Sequence, residues 1–177
     1  MKFNNVALFG ALALASVSGW AQSTGPTDPQ IAAIVVTANQ VDIDAGKLAE
    51  SKTGSKDVKA FAQRMITDHS GVNKAATDLV HKLGVTPEDN PTSQSLKQGG
   101  DANLANLKTL KGGSFDRAYI DHEVVYHENV LAALDKTLIP AAQNGELKAL
   151  LVKVRPAFVA HLEHAKHLQM ELEKSGG

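Results

Sequence analysis

Apolar residues recur at spacings of three and four along four long stretches of this chain, with no strand-like alternation between them. That period leaves amphipathic helices as the way to bury them. The first stripe runs Ile31, Ile34, Ala38, Val41, Ala45, Leu48 and is ended by Gly54. Ser55 then offers an N-cap for a second stripe of Val58, Phe61, Met65, Asp68, Val72, Ala75 and Leu79, which Leu83-Gly84 and Pro87 stop. Residues 85–100 read as loop, and a short helix is expected from Asp101 to Lys111. Gly112-Gly113 breaks it, and Ser114 can cap a third long helix carrying Ile120, Val124, His127, Leu131, Leu134 and Leu138 up to Pro140. The last helix, from about Asn144, repeats Leu151, Val154, Phe158, His161, Ala165, Leu168 and Leu172. Two short hairpin turns and one long middle connection predict an all-α four-helix bundle, with a short helix in the connection between its second and third members.

The first residues read as an address. Lys2 is followed by an apolar run from Val6 to Val17 and by Gly19-Trp20-Ala21, the pattern of a secretory signal cut after Ala21. The run is shorter than the roughly 20 residues a membrane span needs, so no span is expected after cleavage. The expected organisation is a signal peptide over 1–21, a flexible N-terminus over 22–29 and the bundle over 30–177. The expected compartment is the periplasm. With no cysteine anywhere, neither a lipid-anchored precursor nor a disulfide is available, and the core alone must hold the fold.

Charge and composition exclude some partners. The formal net charge is -1, so no basic excess exists to neutralise phosphates, and nucleic acid is not an expected partner. The single Trp lies in the leader, which leaves Phe61, Phe115, Phe158, Tyr119 and Tyr126 as the aromatic stock. Nucleophile elbow, phosphate loop, dinucleotide fingerprint and His-Glu-x-x-His are all missing, so nothing in the sequence marks an enzyme.

What the stripes do contain is polar residues where apolar ones belong. Asp68, His127 and His161 occupy core positions on three helices, and Asp42 sits beside Val41 at the edge of the first stripe. Burying such groups unpaired costs several kcal/mol, so each needs a partner. Asp42 and Asp68 lie at similar distances from Gly54 and so at similar heights, and His127 falls near mid-bundle. His161 joins that layer if the middle connection crosses the length of the bundle, and sits nearer two turns away if the chain runs simply up and down. Asp68 is expected to point inward, with His69 at the stripe's edge and Glu123 on the flank.

Two chemistries fit the layer. Asp42, Asp68, His127 and His161 have the donor types for a divalent transition metal such as iron or zinc, with His69 and Glu123 flanking. A di-iron centre is not expected, because no helix offers Glu-x-x-His in the layer. Redox turnover on such a metal is a further, weaker possibility. Alternatively Asp68 accepts from His127, Asp42 and His161 complete a buried polar network, and the protein serves as a binding or structural component of the cell envelope. His161, His164 and His167 also recur every third residue, a stripe able to chelate at the surface, though only His161 lies on the core seam. His122 reads as a flank residue, and Tyr119 and Tyr126 as packing residues.

Across nearly the whole mature chain, Asn39, Asp42-Ile43, Gly46-Lys47-Leu48-Ala49, Phe61-Ala62, Met65, Asp68-His69, Phe115-Asp116, Tyr119, His127, Pro156 and His161 form a pattern. It resembles that of the exported bacterial family called domain of unknown function 4142, which is grouped with ferritin-like four-helix bundles. The resemblance implies that fold and no established activity. Against the family's pattern, Asp42 stands where Glu is usual and Arg155 where an apolar residue is usual. An arginine pointing inward there would repel a cation.

Overall fold

The structure, a computed structural model, describes residues 25–175; the expected leader over 1–21 lies outside the described residues. Five long helices account for most of that span: α1 Asp28–Lys52, α2 Lys56–Leu83, α3 Pro91–Thr109, α4 Gly112–Ala133 and α5 Gly145–Ser175. The architecture is all-helical and compatible with a four-helix bundle. Local chemistry sets the boundaries. Thr27 and Gln30 form a capping box that starts α1 at Asp28, inside the stretch expected to be flexible. Ser55 accepts from the Val58 amide, as its position predicts, and Gly84 closes α2 in the left-handed conformation, with φ 64°.

The largest departure from the sequence reading is α3. It begins at Pro91 and not at Asp101, because Asn90 accepts from the amides of Thr92 and Ser93 while Ser93 accepts from the Asn90 amide. That box, with Pro91 in the first turn, outweighs the breaking tendency of Gly99-Gly100. Gly100 has its own reason to be there: a Cβ on it would lie 2.7 Å from Val41 Cγ2, so its lack of a side chain lets α3 press against α1. Helix α4 likewise begins two residues before the expected cap, at Gly112.

Tie points fix the directions of the helices. Next to the start of α1, the Glu88 amide donates to the Pro29 carbonyl. At the far end of α1, Lys52 Nζ donates to the carbonyls of Leu107 and Lys108, where a cation suits the C-terminus of α3. Helix α3 therefore travels the length of α1 in the same direction. It returns the chain so that α4 runs parallel to α2, and the Asp28 carboxylate then accepts from the amides of Gln143 and Asn144 in the turn before α5. Helix α4 does not stop at Pro140 but loosens before it. Residues Leu134–Leu138 form a π-helical turn in which the Ile139 amide reaches the Leu134 carbonyl, and Ile139–Ala141 adds one last helical turn. Proline cannot donate and crowds the carbonyl four residues back, and the wider turn relieves both effects.

The core is divided in two. One apolar half holds Phe61, Met65, Leu107, Phe115, Tyr119 and Ile120, and the other holds Ile31, Ile34, Leu134, Leu138, Leu151 and Phe158. Between them lie Asn39, Asp42, His69, Glu123, His127 and His161, each at most 3 % exposed. Substituting Gly100 by Leu should push α3 off α1 and lower stability by about 1 to 3 kcal/mol, the usual range for overpacking. Gly99→Ala, where a Cβ meets nothing within 4 Å, should be neutral or slightly stabilising; paired thermal melts decide the point.

Candidate metal centre

Each bundle helix delivers part of the layer. Helix α1 supplies Asn39 and Asp42, α2 supplies His69, α4 supplies Glu123 and His127 one turn apart, and α5 supplies His161. His69, His127 and His161 each offer a ring nitrogen within 4.8 Å of the others, and so do Asp42, Glu123 and His127 among themselves. The crossing by α3 is what brings α5 round so that His161 reaches the layer. Its ring centroid lies 5.2 Å from that of His69 and 5.4 Å from that of His127.

The hydrogen bonds around the rings decide which nitrogens are free. His69 Nδ1 is 2.7 Å from Asn39 Oδ1, and Asn39 Nδ2 donates to the Val35 carbonyl, so the Asn39 oxygen must accept and His69 Nδ1 must carry hydrogen. His127 Nδ1 donates to the Glu123 carbonyl at 3.0 Å. His161 Nε2 donates to Asp68 Oδ2 at 2.8 Å. In each ring one nitrogen is thus tied to an oxygen. Among the described residues, the other three nitrogens, His69 Nε2, His127 Nε2 and His161 Nδ1, are buried and without a hydrogen-bonding partner. Asp42 Oδ2 faces two of them, 2.9 Å from His69 Nε2 and 3.5 Å from His127 Nε2.

Electrostatics keep two of the rings neutral. Burial lowers the pKa of His161 to about 4, and the Asp68 hydrogen bond offsets only part of that; His69, His127 and Arg64 lower it further. Burial also lowers His127, against the pull of Asp42. Burial alone would raise Asp42, but the three imidazoles around it together hold it below the usual carboxylate value. Glu123 goes the other way: burial first, then the charge of Asp42 and a hydrogen bond between the two carboxyls, raise it well above normal. The two carboxyls of the layer are thus pulled apart in proton affinity, Asp42 below and Glu123 above the usual value.

Several sequence expectations need correction. Asp68 is not the inward group. Its side chain is 38 % exposed and holds His161 from outside while Arg64 Nε donates to it, whereas His69 is 2 % exposed and belongs to the layer. Both residues satisfy a spacing of three or four from Met65, and the buried stripe takes the four. Asp68 accepts from His161 and not from His127. Glu123 is 1 % exposed, inside the core and not on its flank, and Asp42 is fully inside the layer and not at its edge. Arg155 points away, clasped by Asp135 through two bonds of 2.7 and 2.8 Å, so it places no positive charge in the layer. Asn39 carries a role that periodicity did not reveal.

The remaining histidines stay outside. His164 packs its ring edge against Phe61, His167 pairs with Glu171, and His122 stacks on Tyr126. Tyr126 donates to the Ala38 carbonyl.

This arrangement can serve as a ligand set. On one ion with bonds of about 2.1 Å, adjacent and opposite donors stand roughly 3 to 4.2 Å apart. The ring nitrogens of His69, His127 and His161 lie within 4.8 Å of one another, so an inward shift of the rings would bring them onto one ion. The class of protein so defined is an all-helical bundle with a buried imidazole and carboxylate waist. The chain belongs to the family described as Domain of unknown function (DUF4142), whose profile matches residues 14–168. Comparison with curated proteins gave no match, and neither did comparison with solved structures.

Two outcomes are expected from unfolding measurements. In double-mutant cycles, Asp68→Ala and His161→Ala should couple by about 0.5 to 3 kcal/mol, while Asp68→Ala and His127→Ala should add. For metal-free protein, His161 in the unfolded chain takes up a proton near its ordinary value of 6.5, and in the folded chain it resists until about 4. His161's part of the stability should thus be intact above pH 6.5 and be lost as pH falls from 6.5 to 4. Urea melts at several pH values should show a shallower fall for His161→Leu.

Proposed function

We propose that this protein is an exported, ferritin-like helical bundle that holds one divalent transition metal ion, iron or zinc, at its waist. His69, His127, His161 and Asp42 are its ligands. The observation that carries this reading is the convergence of three buried imidazole nitrogens, two of them facing Asp42 Oδ2 at 2.9 and 3.5 Å, each belonging to a ring whose other nitrogen is anchored by an oxygen. Anchoring of that kind fixes the tautomer and direction of metal-binding histidines. A donor set of three imidazoles and one carboxylate suits iron and zinc. Asp68, expected from sequence as a ligand, becomes an outer partner that orients His161. Glu123 stands by as a fifth donor once a cation lowers its proton affinity.

The ferritin-like description is supported by α3 crossing the length of the bundle so that α2 and α4 run parallel. Export to the periplasm is supported by residues 1–21 of the sequence. Among the described residues, no helix is long and apolar enough to cross a membrane.

A second reading draws on the same anchors. Asn39, the Glu123 carbonyl and Asp68 hold the three rings without any ion, as a polar layer fixing helix register in a structural or binding protein of the envelope would require. A self-contained network, however, pairs its buried atoms. Even with Asp42 serving His69 Nε2 and His127 Nε2, His161 Nδ1 stays buried and unpaired among the described residues, and one carboxylate faces two ring nitrogens at once. The metal reading accounts for both.

Elemental analysis of protein purified from the periplasm without chelators tests this directly. About one equivalent of iron or zinc per chain is expected, and His69→Ala and His127→Ala should each abolish most of it. Asp68→Asn should weaken affinity about 10- to 100-fold without removing the site. Native protein that carries far less than one equivalent, and takes up neither Zn2+ nor Fe2+ at micromolar concentration, would refute the proposal.

A further inference from the structure

The apolar half of the core that contains Phe158 is not filled by its own side chains. A cavity of about 270 Å³ runs between α1, α2, α4 and α5, from Asn39 and His69 at its inner end to Thr92, Leu96, Tyr126 and Asn129 at its mouth. Protein interiors rarely leave voids much larger than a water molecule. This one is large enough to need an explanation. Its wall includes Leu134 and Leu138, which bracket the π-helical turn of α4. Turns of that type widen a helix and occur often at functional sites. Thr92 and Asn129 are exposed, and a surface groove lined by Val41, Gly100 and His122 shares Thr92, Leu96 and Tyr126 with the mouth. The cavity thus has a route to solvent.

We infer that this cavity is a binding site for an uncharged, mostly apolar small molecule of about ten heavy atoms. The size follows from comparison with a core cavity of about 150 Å³ that admits benzene. The class follows from the lining. Among the described residues it contains no Lys, Arg, Asp or Glu, so nothing there would neutralise a ligand's charge. The polar groups at the inner end are already engaged, Asn39 with His69 and with the Val35 carbonyl. The Tyr126 hydroxyl is engaged with the Ala38 carbonyl. Thr92 and Asn129 at the mouth leave room for one polar head facing water. The ligand would lie along the Phe158 and His69 rings, which are stacked with centroids 5.0 Å apart. It would approach the layer from the Asn39 side of His69, opposite the nitrogen that faces Asp42. The site shares His69 with the proposed ligand set but meets the other side of its ring, and the inference does not rest on the metal reading.

The test uses 1-naphthol as the probe, with naphthalene-1-sulfonate as its charged counterpart, on full-length mature protein in both metal-free and zinc-treated forms. Saturable binding of 1-naphthol below about 1 mM is expected, with methyl resonances of Leu134, Leu138 and Leu151 shifting together. Tm should rise by about 3 to 5 °C at ten times Kd. The sulfonate should bind at least tenfold more weakly. Ala133→Phe, which places a ring in the cavity, should remove the response while leaving metal content unchanged. Xenon-pressurised crystals of the unsubstituted protein give a measurement that needs no variant: density beside Leu134 and Phe158 is expected. Absence of saturable binding together with absence of xenon would overturn the inference, as would equal binding of the sulfonate. Binding in the metal-free form with no metal uptake in the treated form would sustain this inference and defeat the metal reading alone.

Discussion

The desolvation of three imidazoles and two carboxyl groups at one height governs this structure. A bundle can close over such a layer only if each ring is oriented by something that cannot move, because a buried polar group left to rotate loses its partner and keeps its cost. The three anchors differ in kind: an amide side chain on the neighbouring helix, a backbone carbonyl one turn back, and a half-exposed carboxylate at the rim. Together they make the free nitrogens converge. Asp42 sits where His69 foremost holds its carboxyl below the usual value.

The rest of the fold serves that height. Parallel placement of α2 and α4 requires the chain to be carried back along the bundle, and α3 does so at close range only because Gly100 yields its side-chain volume to Val41. Gly46 serves the neighbouring contact between α1 and α2, where a Cβ would approach Ile66 and the Ala62 carbonyl at 3.1 and 3.2 Å. Lys52 and Asp28 then fasten the two ends of α1 to the chain's later turns, so the helix that carries Asn39 and Asp42 is fixed at both ends.

Much of this was legible in the sequence. The four long stripes and a polar layer drawn from the first three long helices follow from period and height, while His161 on the last helix joins it only once the course of the middle connection is known. The side of the helix was not. A residue three or four positions after an apolar one meets the period equally well, and the choice between Asp68 and His69 depends on how α2 is rotated against α5. Glu123 was hidden for the same reason, since both it and Val124 follow Ile120 at helical spacing. The first half of α3, up to Gly100, reads as loop because Gly99-Gly100 and Pro91 signal a break, while the capping box at Asn90 and the packing need at Gly100 become visible only with α1 in place.

The polar waist has a mechanical consequence. It interrupts the apolar contacts that would otherwise run unbroken from one end of the bundle to the other, leaving two halves that differ in tightness. The half around Phe61, Phe115 and Tyr119 is built on regular helix; the half around Leu134 and Leu151 contains a widened helical turn, a proline and unfilled space. Cooperative units of a protein open in order of their own stability. Amides at the end of α4 are thus placed to exchange with solvent while those around Phe61 stay protected, and the layer marks the boundary between the two.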